Sequence, residues 1–314
     1  MVVIRLTGGA HPGNVKYMSR LIFAALASAV LTTAAAAQQV PGRDLLEFPL
    51  GLLAEAPPLS TQMTGGLWNP ATSALGPSRS AQFGFAGLTT PQEQGVRLEM
   101  VGGAYKLRHG ITGTLSFTQA SVADILRTEF DPQSVGGEIP YGTMVLSGGA
   151  ATKRGNTSVG IAARYRWGSL DTEHSGAFSL DGGAIVDSVA GTPLRVALST
   201  FLLSPSRKKE DATFLGAVDL PVVHRDSTLL VRGGYSRSQT ESRGHEDYLF
   251  ATSAYRQLDL SAGLAQTTIF GHVNRRMRLG FGLHYAGYTV AIGRDDGAAG
   301  FPASYQFLFT RVFP

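Results

Sequence analysis

Cysteine is absent from this 314-residue chain, so no disulfide framework and no thiolate metal centre can hold it together. Helical periodicity is missing as well. After residue 80 no stretch sustains the three-and-four spacing of apolar residues that an amphipathic helix requires. The apolar run at residues 21–31 falls short of the roughly 20 residues that cross a bilayer as a helix, and no later run replaces it. Charged residues are sparse at 16% against 43% apolar, a balance that excludes wholesale disorder. Catalytic signatures are missing too: there is no G-x-S-x-G, H-E-x-x-H or G-x-x-x-x-G-K-[ST], and no G-x-G-x-x-G opening a helix. A non-enzyme without cofactor or metal is the expectation. His245, Glu246 and Asp247 form the densest charged cluster and read as an exposed, solvated loop.

The basic calculated pI of 9.4 is largely local. The first 37 residues hold Arg5, Lys16 and Arg20 and no acid, and without them 24 basic residues face 23 acidic ones. Near-neutrality removes the support for nucleic-acid binding. Arg20, the apolar run behind it, and Ala35 and Ala37 in A-x-A spacing before Gln38 form a secretory leader. Residues 1–37 are therefore read as a leader region cleaved after Ala37, with Met18 the expected true start.

Residues 38–78 carry Pro41, Pro49, Pro57 and Pro58 among short apolar stretches and read as turns and loops. Residues 79–314 are strand upon strand. From Ser158 to Trp167, Val159, Ile161, Ala163, Tyr165 and Trp167 alternate with a face that ends in Arg164 and Arg166. The expected strands are 80–88, 95–106, 109–119, 141–152, 156–168, 175–186, 193–204, 212–221, 228–238, 247–256, 258–267, 275–285, 287–294 and 303–313, about fourteen in all. Connections after even strands look tight, as at residues 107–108, 153–155, 257 and 286. Those after odd strands look longer, as at 120–140, 205–211, 239–246 and 295–302. Short turns on one side and long loops on the other are the habit of an outer-membrane barrel. The last strand sets Tyr305, Phe307, Phe309 and Phe313 on one face, interrupted by Arg311. That ending resembles the signal by which such barrels are recognised by the barrel assembly machinery, although Pro314 comes after the Phe. A strand that spans lipid must belong to a closed sheet, because unpaired edge groups are costly in hydrocarbon. The fold expected is all-β: a closed antiparallel transmembrane β-barrel with a short N-terminal plug, in the bacterial outer membrane. A secreted soluble β-sandwich or solenoid is the alternative.

The segment Gly65-Gly66-Leu67-Trp68-Asn69-Pro70-Ala71 resembles the N-terminal signature of the long-chain fatty-acid transporter (FadL-like) superfamily and its PorV/PorQ-like relatives. Gly176 to Ala184, with Asp181 and Gly183, looks like a glycine–aspartate strand of the same family. Thr72 and Ser73 depart from it, where Gly and Leu are usual. The resemblance implies a fourteen-stranded barrel occluded by a plug and the uptake or passage of hydrophobic or amphipathic small molecules. For the PorV-like group it implies partnership with secretion-system proteins, and a structural or adhesive barrel is a third reading.

Asn69 before Pro70 is a strong turn former, fixing either the chain's approach to the barrel or a gate. With Trp68 and the apolar Leu45, Phe48, Leu50, Leu52 and Leu53, they are the plug and gating candidates. Arg97, Arg164, Arg166, Arg195, Arg232 and Arg278 are read as luminal. They either pair with Glu99, Asp181, Asp259, Asp44, Glu47 and Glu55, or form a basic passage that orients carboxylate-bearing solutes. Trp68, Trp167, Tyr165, Tyr235, Tyr255, Tyr285 and Tyr288 are expected in aromatic girdles at the two interfaces with outer-membrane lipid.

Overall fold

The computed structural model describes residues 40–313 except 48–53, 63–64, 77–80, 92–94, 124, 129–134, 205–209, 226–227, 242–243, 270–271 and 298–302. The leader region lies outside the described residues, as do Phe48, Leu50, Leu52 and Leu53 among the plug candidates.

The strands run β1 (Ala81–Thr89), β2 (Val96–Lys106), β3 (Ile111–Val122), β4 (Leu126–Thr128), β5 (Val135–Glu138), β6 (Tyr141–Arg154), β7 (Thr157–Leu170) and β8 (Glu173–Val186). They continue as β9 (Arg195–Phe201), β10 (Thr213–Arg225), β11 (Leu229–Thr240), β12 (Gly244–Tyr255), β13 (Leu258–Ile269), β14 (His272–Tyr285), β15 (Tyr288–Asp295) and β16 (Ser304–Phe313). The pair β4 and β5 forms a small hairpin in the β3–β6 connection, and the other fourteen strands make one closed antiparallel barrel. Its seam joins β1 to β16, from Ala81 opposite Phe313 to Thr89 opposite Tyr305. Both barrel termini therefore sit at one end, here the closing end; the other is the far end.

The period-two pattern sorts residues across the wall. On β7, Ile161 is 70% exposed on the outer face, while Arg164 and Arg166 are 1% exposed inside. Tyr305, Phe307, Phe309 and Phe313 likewise stand on the outer face of β16. Outer aromatics Tyr105, Tyr255, Tyr285 and Tyr288 gather near the closing end, and Tyr165 and Tyr235 stand on the outer face further along their strands. Trp68 is a correction: it packs inside the plug at 5% exposure, not in a girdle.

At the closing end Ala286 and Gly287, with φ of 49° and 83°, make the left-handed two-residue turn that matches strand twist. The expected segregation of connection lengths holds only in part. β7 passes to β8 through residues 171–172, β11 ends at Thr240 before β12 starts at Gly244, and β13 ends at Ile269 before β14 starts at His272, all at the far end. At the closing end, residues 187–194 are the longer exception. His245, Glu246 and Asp247 accordingly lie in β12, opposite Gln239, Ser238 and Arg237, and not in a loop. A ladder is held by backbone groups, so a polar run extends a hairpin as readily as an apolar one.

Candidate functional site

The lumen is occupied by the described residues between 40 and 76, which are built from short turns. Pro57 and Pro70 each open a 3-10 turn, where fixed φ helps and a missing N–H costs nothing. Asn69 caps the second turn: its Oδ1 accepts from the Ala71 amide at 3.0 Å, and its Nδ2 donates to the Pro58 carbonyl at 2.8 Å. One fully buried side chain thus ties two turns together.

The wall is cut to receive this knot. A Cβ on Gly160 of β7 would come within 2.5 Å of the Pro70 carbonyl carbon, and one on Gly183 of β8 would overlap Asn69 Oδ1. The two segments that carry the family resemblance therefore meet in space, the Asn69-Pro70 turn seated on a glycine two residues beyond Asp181. Trp68 packs against Phe201 at 4.8 Å between ring centroids, and the guanidiniums of Arg164 and Arg43 lie over the same ring at 5.0 and 5.5 Å. Leu45, Leu46 and Leu67 join Trp68 in a buried cluster with Leu88, Leu98 and Met100 of the wall.

Five of the six arginines expected in the lumen are there, and all five have carboxylate partners. Arg164 pairs with Asp181, both fully buried. Arg166 pairs with Glu210 and donates to the carbonyls of Val40 and Pro41, each at 2.7 Å, and to Thr143 at 2.9 Å. Arg195 and Arg232 fork onto Asp219, with Nε contacts of 2.8 and 2.9 Å. Arg278 donates to Asp295 at 2.6 Å and to Glu246 at 3.0 Å, and Arg276 shares both acids. Burying either charge alone would cost several kcal/mol, so such pairs fix geometry more than they add stability. Arg97 is the correction. It stands on the outer face of β2, as does Glu99, because the apolar face of that strand, Val96, Leu98 and Met100, turns inward against the plug.

Of the acids expected to neutralise the arginines, Asp181 does so. Asp44 instead accepts from the Tyr141 hydroxyl, Asp259 meets His284, and the Glu47 side chain lies outside what is described. Arg43, Glu210, Asp219, Arg276 and Asp295 were not singled out by the sequence. Arg43 donates to Thr213 at 2.6 Å and to the Asp211 carbonyl at 3.3 Å, 168 residues or more away in the chain, a separation that carries no local signal.

Glu55 differs from all of these. Burial raises its carboxyl from the ordinary 4.5 to about 7; the nearby Ser60 hydroxyl offsets part of that, and the Asp259 charge adds to it. Its Oε2 is buried with no hydrogen-bond partner among the described residues. Next to it, Ala54 holds a left-handed φ of 63° while its carbonyl accepts from the Tyr248 hydroxyl at 2.6 Å.

No family model and no curated protein matches the sequence. Solved structures do match its fold. The chain is similar to the Ralstonia pickettii toluene transporter TbuX, at TM-score 0.59 and 9% identity over 84% of this chain and 100% of that one. It is similar to the CymD monoaromatic hydrocarbon channel, at TM-score 0.58 and 10% identity over 83% and 98%. A Pseudomonas aeruginosa FadL homologue aligns at TM-score 0.52 and 11% identity over 88% and 99%. The shared feature is the fold, in this chain a closed fourteen-stranded barrel.

Proposed function

We propose that the chain is an outer-membrane barrel that lets hydrophobic or amphipathic small molecules pass when the plug leaves its seat. The observation that carries this reading is the contrast between the wall's two faces. Outside stand large apolar side chains such as Ile161, Leu115, Leu249, Leu264 and Val290; inside, paired charges surround the plug. An apolar belt around a closed sheet is costly in water and is what hydrocarbon requires. The likeness to hydrocarbon and toluene channels supports the solute class. In this reading the closing end faces the periplasm, and the final strand with Tyr305, Phe307, Phe309 and Phe313 is the signal for the assembly machinery.

A solute enters from the far end and meets the apolar cluster around Leu45, Trp68 and Phe201. It passes once the Asn69-Pro70 turn lifts from Gly160 and Gly183. A carboxylate on the solute is oriented by Arg166, whose bonds to Val40 and Pro41 open when that segment moves. The β4–β5 hairpin, tied to the wall by the Arg127–Asp171 ion pair, favours a second reading as a docking surface for an external or secretion-system partner. Uptake of oleate by vesicles holding the purified protein separates the two. Uptake above that of empty vesicles supports passage; none, with secretion proteins co-purifying, supports the partner role.

A further inference from the structure

We propose that the outer wall binds a glycolipid bearing two phosphates, from the leaflet at the far end. This rests on the membrane reading above. The head would lie on a row formed by Arg294, Tyr305, Thr89 and Arg97, and an acyl chain would lie in a groove beneath it. The four residues are successive cross-strand partners: Arg294 opposite Tyr305, Tyr305 opposite Thr89, and Thr89 opposite Arg97. All four are exposed on the outer face, at the last rows before the β1–β2 and β15–β16 connections. Three strand spacings of about 4.8 Å place the two arginines roughly 14 Å apart. One phosphate cannot serve both; two phosphates at opposite ends of a disaccharide head can.

Below the row the wall is concave, with a groove of about 810 Å³. Ala251, Ala262 and Leu279 line it where the row continues past Arg294, and Phe281, Ile292 and Phe307 line it one outward-facing step toward the closing end. Any lipid covers an apolar wall. What selects this one is the pair of cations on the row, Arg294 lining the groove and Arg97 three strands beyond it.

Arg97 makes no hydrogen bond or ion pair among the described residues. Arg294 meets Asp296 at 3.2 Å, with side chains 53% and 38% exposed. An exposed pair of that kind is worth little and yields to a phosphate, which offers more charge and three acceptor oxygens. Between the two guanidiniums the Tyr305 hydroxyl supplies a donor, while the Thr89 hydroxyl donates to the Thr90 carbonyl at 3.4 Å. Glu99, the next outer residue down β2, is the opposing charge, so Glu99→Gln strengthens binding.

The test uses the full-length protein in detergent, titrated with bisphosphorylated lipid A, its dephosphorylated form and phosphatidylglycerol, with bound lipid counted by native mass spectrometry. Wild type is expected to bind bisphosphorylated lipid A at least tenfold more tightly than either other lipid. The double variant Arg97→Gln/Arg294→Gln is expected to lose that tenfold while keeping its heat-modifiable gel mobility, the sign of an intact barrel. Single variants each lose part of it. Equal affinity of wild type and double variant, or equal binding of the dephosphorylated lipid or of phosphatidylglycerol, overturns the proposal. Failure of the wild-type barrel to insert into vesicles of any composition would instead overturn the membrane reading on which it rests.

Discussion

Adding a single methyl group at Gly183 is expected to unseat the plug and leave the barrel standing. The new Cβ would overlap Asn69 Oδ1, so the side chain that holds the Ala71 amide and the Pro58 carbonyl must move. Losing the cap costs about 1 kcal/mol, stranding a buried partner about 1–3 kcal/mol, and forcing a methyl into a filled site about 1–3 kcal/mol. Together the seating equilibrium loses about 3–7 kcal/mol, so at about 1.4 kcal/mol per factor of ten the unseated population rises about 10²-fold at the low end and about 10⁵-fold at the high end. The β7–β8 ladder, paired from Thr157 to Leu170, is untouched. Trypsin reads the outcome, because Arg43 is 2% exposed when the plug is seated. Cleavage after Arg43 should accelerate strongly in Gly183→Ala, while heat-modifiable gel mobility stays that of the native barrel. Asn69→Ala removes the oxygen that clashes, so the double variant should be no worse than Asn69→Ala alone, a non-additivity equal to the whole cost of Gly183→Ala, at least about 3 kcal/mol. Cleavage of Gly183→Ala at the wild-type rate would refute the seat.

The same contacts set the remaining expectations. The Glu55 carboxyl is raised from 4.5 to about 7 when seated, so the seated plug holds its proton longer than the free plug does. Seating is therefore tightest below pH 4.5 and weakens as pH rises toward 7, by about 3 kcal/mol in total. Glu55→Gln should flatten this pH profile of Arg43 cleavage, with Asp259, Arg195, Tyr248 and His284 still facing the site; an unchanged profile would contradict the assignment. Arg166→Gln strands buried Glu210 and frees the Val40 and Pro41 carbonyls, a loss of about 3–5 kcal/mol. It should speed amide exchange at residues 42–46, and Arg166→Gln/Glu210→Gln should recover most of the loss. If the double variant exchanges as fast as the single, the pair is not what holds that segment.

The strand pattern was legible because a half-buried sheet writes its two faces into alternate residues, as at Val159 to Trp167. Alternation does not say which face is inside. On β7 the apolar face meets the exterior, but on β2 Val96, Leu98 and Met100 face a lumen lined there by plug leucines, which is why Arg97 lands outside. The polar run His245 to Asp247 hid a strand because its backbone, not its side chains, completes the ladder. The plug seat was visible only as two short motifs whose meeting needs the closed barrel. Partners such as Arg43 with Thr213 and Arg166 with Glu210 left no trace in local sequence, since nothing in the spacing of either residue records a contact across the lumen.

The central claim is that passage requires the plug to move, and the absence of native cysteine makes a direct test simple. Asp44 of the plug and Tyr141 of the wall are hydrogen-bonded to each other, so cysteines at both positions can be joined by a short bismaleimide. Uptake of oleate or toluene into vesicles holding this variant should proceed before cross-linking and fall to the level of empty vesicles afterwards, with each single-cysteine variant unaffected by the reagent. Uptake that continues undiminished through the cross-linked barrel would contradict the account.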